Sequence, residues 1–296
     1  MVAFLRSSDA FIWSIGTDAR FRSTIVTLIL LDSTPDFASV ADRFEAISRM
    51  APMFRKRVVP SPWPAPPRWE PDPEFDLAFH LRRVGAPGSG DLDGVLELAR
   101  LAAMADFDAA HPLWEATLIE GMTGGGAALL CRMNHALTDG VGAVEIGRLL
   151  FDDLAQGRPL PTPKQPDLLQ LTRMAAGALF GSMRAGPALV VEAMLRPVAT
   201  FGMAGALTAS VWRTTRPRRR RSPMMQKRGS IRQLLMHEVS KEALHRAAAI
   251  AGGSLNDAFL AAVSGGLGRY HAEHGVSVDE LVVMMPINLR TKTDQV

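Results

Sequence analysis

Six residues, Gly121-Met122-Thr123-Gly124-Gly125-Gly126, separate two apolar runs and constrain the fold more than any other stretch. Their glycines reach the positive φ values that a turn between antiparallel strands needs. Residues 114–120 and 127–135 therefore read as the arms of a hairpin, which places His135 at the end of a strand. Past a short loop over 136–140, Ala143, Ile146, Gly147, Leu150 and Leu154 share one face of an amphipathic helix. The local pattern is strand, tight loop, helix, with a histidine at the first junction.

Other segments extend this to a mixed α/β chain. Ser8-Asp9 starts a helix, the β-branched run 24–31 reads as a buried strand, and 36–50 carries Phe37, Val40, Ala41, Phe44 and Ile47 at helical spacing behind a cap near Asp36. Prolines at 60, 62, 64, 66, 67, 71 and 73 exclude regular structure there, while Trp63 and Trp69 suggest an ordered loop lying on apolar surface. Residues 92–104 are again helical. Proline-rich 159–166 marks a boundary, and 168–212 is apolar, methionine-bearing and arginine-dotted before the arginines at 213, 216 and 218–221. Beyond it, 231–239 reads as β-like, Ser240 caps a helix that stops at Gly252-Gly253, Ser254 caps another, and 281–285 reads as a strand ended by Pro286. The expected division is 1–165, a linker over 166–230, and 231–296.

A chain of 296 residues, 47% hydrophobic and 21% charged, buries a large core. The single cysteine, Cys131, forms no internal disulfide, and no signal-peptide pattern opens the chain, so a cytoplasmic location is expected. The net charge of +3 is modest, and the arginine run has no recognition motif or interleaved aromatics to bind nucleic acid. Beside an apolar segment it suits an anionic membrane or lipid-droplet surface through 168–221, while a solvated linker explains the same composition. No uncharged stretch reaches the length of a spanning helix.

His135 is the strongest candidate for chemistry. Its imidazole can take and return a proton near neutral pH. Asp139 reads as fixing the motif loop through an arginine pair, and Gly140 as the turn into the helix. On spacing alone, a strand-end histidine is more often structural. His80, His111 and His135 do not share ligand spacing on one element, so no metal is expected. The chain lacks Gly-x-Ser-x-Gly, and no phosphate-loop or dinucleotide fingerprint follows the glycines.

The run Asn134-His135-Ala136-Leu137-Thr138-Asp139-Gly140 resembles the His-His-x-x-x-Asp-Gly motif of the wax ester synthase/acyl-CoA:diacylglycerol acyltransferase family, within the CoA-dependent acyltransferase superfamily. Further blocks agree in order: Ser8-Asp9-Ala10-Phe11, Phe75-Asp76-Leu77, His111-Pro112-Leu113-Trp114-Glu115, Leu255-Asn256-Asp257-Ala258 and Pro286-Ile287-Asn288-Leu289-Arg290. The resemblance covers essentially the whole chain. Asn134 departs from it, standing where the family has its first histidine, and strand alternation points the two side chains to opposite faces. Asparagine can keep a hydrogen bond that the first imidazole would make. A second departure is that such enzymes have two similar domains with a channel between them, whereas most of the second is missing after Val296.

The resemblance implies a CoA-dependent acyltransferase-like two-domain α/β fold, a mixed sheet flanked by helices. It implies transfer of a fatty acyl group from acyl-CoA to diacylglycerol or a long-chain alcohol, with no cofactor. His135 would deprotonate the hydroxyl and return the proton to the CoA thiolate, with Asn256 a candidate polar group at the channel, Arg290 a candidate partner of Asp139, and Trp114 and Glu115 supporting the strand. Two other readings compete: a catalytically silent, truncated lipid- or partner-binding homologue, and acylation of a carrier-bound polyketide or peptide by a related fold.

Overall fold

The structure, a computed structural model, describes residues 3–5, 7–61, 66–137, 147, 150, 222–225, 229–278 and 280–281. The chain divides into two compact units, Met1–Leu195 with Ser230–Leu234, and Arg196–Gly229 with Leu235–Val296.

In the first unit the elements run β1 (Ala3–Phe4), α1 (Ser7–Ile15), β2 (Thr24–Leu31), α2 (Phe37–Met50), β3 (Lys56–Val59), β4 (Arg68–Pro71), α3 (Leu77–His80), β5 (Leu81–Gly85), α4 (Leu92–Met104), β6 (Trp114–Glu120) and β7 (Ala127–Asn134). The main sheet has the order β2-β7-β6-β5; β7 is antiparallel to both neighbours, and β5 is parallel to β6. The expected hairpin is β6 and β7. Gly121, Gly124 and Gly125 take φ of 77°, 88° and 83° in its turn, and a Cβ on Gly126 would sit 2.7 Å from the Leu31 carbonyl oxygen.

Period-two alternation gives the sheet two apolar faces. One packs on α2, where Phe44 and Ile47 meet Trp114, Leu118, Leu129 and Met133. The Asp36 carboxylate caps α2 by accepting the Ser39 backbone N–H at 2.9 Å. The other face packs on α4, where Val95 and Ala99 meet Ile119, Ala128 and Leu130. Helices on both faces of a mixed sheet are the layered α/β arrangement expected.

Two local expectations fail. The proline-rich stretch contains a strand, because β4 pairs with both β1 and β3 in a second, three-stranded antiparallel sheet. Pro71 lies opposite Lys56 at the end of the ladder, where a missing N–H costs little, and Trp69 is buried in the core beneath it. Trp63 lies outside the described residues. The run 231–239 forms no strand. A β-rich sequence becomes a strand only beside a ladder, and here the contacts are of another kind. The Arg232 guanidinium donates to the Arg22 carbonyl, Arg100 donates to the Arg232 carbonyl at 3.4 Å, and Leu234 packs on the α4-side core.

The second unit contains α5 (Lys241–Ile250) and α6 (Leu255–Glu273), with the expected caps. Ser240 caps α5, and Ser254 and Asp257 form a reciprocal capping box on α6. The buried His271 ring donates to the Leu267 carbonyl at 2.6 Å and accepts from the Ser222 hydroxyl at 2.7 Å, which accounts for both nitrogens. Among the described residues no single helix is long and apolar enough to cross a membrane, although α5 and α6 taken together, bent by 94°, pass on length and composition. The expected strand over 281–285 lies outside the described residues apart from Leu281.

Candidate active site

His135 follows directly on β7, and each backbone N–H from Asn134 to Leu137 is held. The Asn134 N–H donates to the Leu113 carbonyl at 2.9 Å, the His135 N–H to the Ser23 carbonyl at 2.8 Å, and the Leu137 N–H to the Asn134 carbonyl at 2.9 Å. The Asn134 side chain closes the set: its Oδ1 accepts the Ala136 N–H at 2.9 Å. This is the local side-chain-to-backbone bond for which asparagine is favoured in turns. Ala136 and Leu137 are buried, whereas His135 is half-buried and within reach of solvent. A titratable ring thus sits on a backbone pinned both to the neighbouring strand and to the Leu113 segment.

The Trp114 block supports that turn from behind. Trp114 lies opposite Met133 in the hairpin register and stacks on Phe44 with ring centroids 5.7 Å apart. Its indole N–H donates to the Phe54 carbonyl at 2.8 Å. Glu115, opposite Arg132, receives the Arg132 guanidinium. The same guanidinium donates to the carbonyls of Ala105 at 3.1 Å and Asp106 at 3.2 Å and lies 4.3 Å over the Phe107 ring. One buried arginine therefore closes the C-terminal end of α4 and fixes β6 to β7 two residues before the motif. Hairpin register alone would have identified this pair from the sequence.

His80, by contrast, is a residue whose surroundings the sequence pattern does not reveal. It is fully buried, stacked against Trp114 at 4.6 Å and Phe75 at 5.2 Å. Its Nδ1–H donates to the Trp114 carbonyl at 2.8 Å, and Nε2 has no hydrogen-bond partner among the described residues. Burial pushes its pKa below the ordinary histidine value, against the Trp114 hydrogen bond, while His111 opposes its charge and Glu115 and Asp72 favour it. The depressed value means the unfolded chain takes up the proton first, so His80 contributes stability above about pH 6.5 that is lost as the pH falls below it. His80→Asn keeps a donor for the Trp114 carbonyl and removes the titration. Between pH 7 and 5 the wild type is expected to lose more denaturant-midpoint stability than this variant. Identical pH slopes would exclude His80 as a source of acid sensitivity.

Asp139, Gly140 and Arg290 lie outside the described residues. Asn256 is the second residue of α6 and solvent-exposed; capping there is done by Ser254 and Asp257, leaving its amide free of that task. His135 and Asn134 belong to the first unit and Asn256 to the second. Among the described residues no group of three His, Cys, Asp or Glu side chains could hold a metal ion.

The model of the wax ester synthase/diacylglycerol acyltransferase catalytic domain matches residues 5–259. The chain belongs to this family. A Mycobacterium tuberculosis H37Rv protein named as a diacylglycerol O-acyltransferase is 37% identical over 290 residues, covering 93% of this chain and 59% of the relative. A second protein of that strain with the same assignment is 27% identical over 298 residues, covering 96% of this chain and 62% of the relative. The chain thus spans about three-fifths of the length of these relatives.

Among solved structures, the wax ester synthase/diacylglycerol acyltransferase of Marinobacter aquaeolei VT8 superposes with a TM-score of 0.60 at 19% identity, covering 94% of this chain and 63% of that one. The first condensation domain of the CDA synthetase gives 0.57 at 18%, covering 91% and 61%. At these identities the likeness is one of fold, and it bears out the expected CoA-dependent acyltransferase-like α/β architecture.

Proposed function

We propose that this chain carries the base-bearing part of an O-acyltransferase that moves a fatty acyl group from acyl-CoA to diacylglycerol or a long-chain alcohol, forming triacylglycerol or wax ester. The observation that supports this most is the family match, running through a motif whose histidine stands half-buried where each N–H from Asn134 to Leu137 is hydrogen-bonded. In this reading His135 accepts the proton of the acceptor hydroxyl as its oxygen attacks the thioester carbonyl. The C–S bond breaks from the tetrahedral adduct, and the imidazolium returns the proton to the CoA thiolate. The new ester and free CoA leave, and the histidine is regenerated with no acyl-enzyme and no cofactor.

Asn134 acts here through the backbone, since its side chain holds the Ala136 N–H. In this reading Asp139 would orient the motif loop, Gly140 would be its turn, Arg290 is the candidate partner of Asp139, and Asn256 is the candidate polar group for the channel. The apolar and arginine-rich stretch over 168–221 would bring a cytoplasmic protein to a membrane or lipid-droplet surface, where both acceptors reside.

The test is acceptor dependence. With palmitoyl-CoA alone, the purified protein is expected to release little free thiol. Adding hexadecanol or a diacylglycerol is expected to raise the rate and yield the matching ester in equal amount. Thiol release that is independent of acceptor, with free fatty acid as product, would mean hydrolysis and overturn the transfer reading.

A further inference from the structure

A segment from late in the chain is strapped onto the residues that hold the His135 turn. Residues 230–234 belong to the first unit, although the chain before and after them belongs to the second. Arg232 is fixed there at three points. Its N–H donates to the Met104 sulfur at 3.3 Å, its carbonyl accepts from Arg100 at 3.4 Å, and its guanidinium donates to the Arg22 carbonyl. Leu234 adds an apolar anchor on the α4-side core. Met104, the last residue of α4, is the shared post, because its own carbonyl accepts the Arg22 guanidinium at 2.7 Å. The unpaired carbonyls and the dipole at the end of a helix favour cations in this place. Arg22 also reaches Asp106 at 2.7 Å, and Arg100 pairs with Glu97. Among the described residues Arg232 has no carboxylate partner, and its side chain is committed to a backbone carbonyl.

The carbonyl that Arg232 holds is one peptide unit away from the one that holds the motif. The register of β2 against β7 ends with Thr24 opposite Asn134, and the His135 N–H then donates to the Ser23 carbonyl at 2.8 Å. That bond lies past the last ladder pair, where an element's end frays most easily. With the Arg22 carbonyl fixed, only the φ and ψ of Ser23 stand between the strap and the carbonyl that receives His135. Arg22 is held at its side chain by the end of α4 and at its backbone by Arg232, and Ser23 inherits the restraint.

We propose that Arg232 is a positioning residue for His135, acting through the Arg22–Ser23 backbone on which the histidine's N–H rests and not on the reacting atoms. Its consequence for rate rests on the acyl-transfer reading, in which a base misplaced by about 1 Å loses up to ~10²-fold. The restraint on the neighbouring residue is independent of it, because the Asn134 N–H is held by the Leu113 carbonyl on the β6 side.

Amide hydrogen exchange, read residue by residue in the isotope-labelled full chain, tests this alongside kcat for acceptor-dependent CoA release. Arg232→Met keeps a long apolar stem and removes its donors. Arg232→Gln is shorter and loses the bond while staying polar, so whichever variant folds decides. In both, exchange at His135 is expected to quicken about fivefold, the effect of losing one net hydrogen bond. Asn134 and the β6–β7 ladder are expected to stay protected, and kcat to fall with KM little changed. Arg232→Lys can still donate to the Arg22 carbonyl and is expected to recover much of both losses. Exchange at His135 unchanged from wild type, a rise spread evenly over the β6–β7 ladder, or an unchanged kcat overturns the proposal. Local release of His135 in the variants, with no acceptor-dependent transfer by the wild type, leaves the restraint standing and removes the catalytic reading. Transfer by the wild type with His135 exchange unmoved in the variants does the reverse.

Discussion

His135→Ala is expected to lower acceptor-dependent CoA release by roughly 10²–10⁴-fold, the usual contribution of a positioned general base. The loss should fall on kcat with KM little changed, because a base that acts on the hydroxyl proton contributes in the transition state more than in the bound complex. Asn134 supplies the control that separates chemistry from turn geometry. Asn134→Asp and Asn134→His both retain an acceptor for the Ala136 N–H now held at 2.9 Å. Both are expected to keep most of the rate. Asn134→Leu removes that acceptor and should lower kcat by less than His135→Ala, because the imidazole base itself is still present. A His135→Ala protein with more than about a tenth of wild-type activity would remove this histidine from the mechanism, since a loss that small lies below the general-base range.

Trp114→Ala is expected to destabilise the first unit by about 3–5 kcal/mol, the range for deleting a large aromatic from a packed core. The side chain is only 2% exposed. Its loss removes the stacks on Phe44 and His80 and leaves the Phe54 carbonyl without its 2.8 Å donor. Against a typical domain stability of about 5–15 kcal/mol, that is a large share. Trp114→Phe keeps a ring against Phe44 and should cost distinctly less. Denaturant unfolding followed by circular dichroism gives the comparison, with the midpoint moving and the slope constant. A loss under about 1 kcal/mol for the alanine variant would mean that the block does not anchor the hairpin, because surface substitutions produce changes of that size.

Much of the first unit is legible in its residues because its signals are local. The glycines at 121–126 specify the β6–β7 turn, Asp36 and Phe44 the start and buried face of α2, and Ser254 with Asp257 the start of α6. What stayed hidden depends on distant partners. Arg68–Pro71 becomes a strand because β1 and β3 flank it, which outweighs its prolines. The run 231–239 has strand composition and no ladder, so composition decided nothing there. His80 is invisible to any periodicity, since its burial comes from Phe75 and Trp114 closing over it. At the candidate site, the motif itself was readable through His135. The hydrogen bond from Ala136 to Asn134 was foreseeable only as a type of interaction, and Asp139, Gly140 and Arg290 fall outside the described residues.

The register of β2 against β7 also bears on how the protein is made. Leu31 pairs with Ala127 and Thr24 with Asn134, so each partner lies about a hundred residues further along the chain. At ~5–20 residues per second, a ribosome takes about 5–20 s to supply β7 after β2 has emerged. Throughout that interval β2 (TIVTLILL) is uncharged, rich in β-branched and leucine side chains, and without its ladder. Such a segment is an open template for pairing between nascent chains. Yield in a recombinant host should therefore depend on chaperone holding of the first hundred residues more than on the stability of the finished sheet.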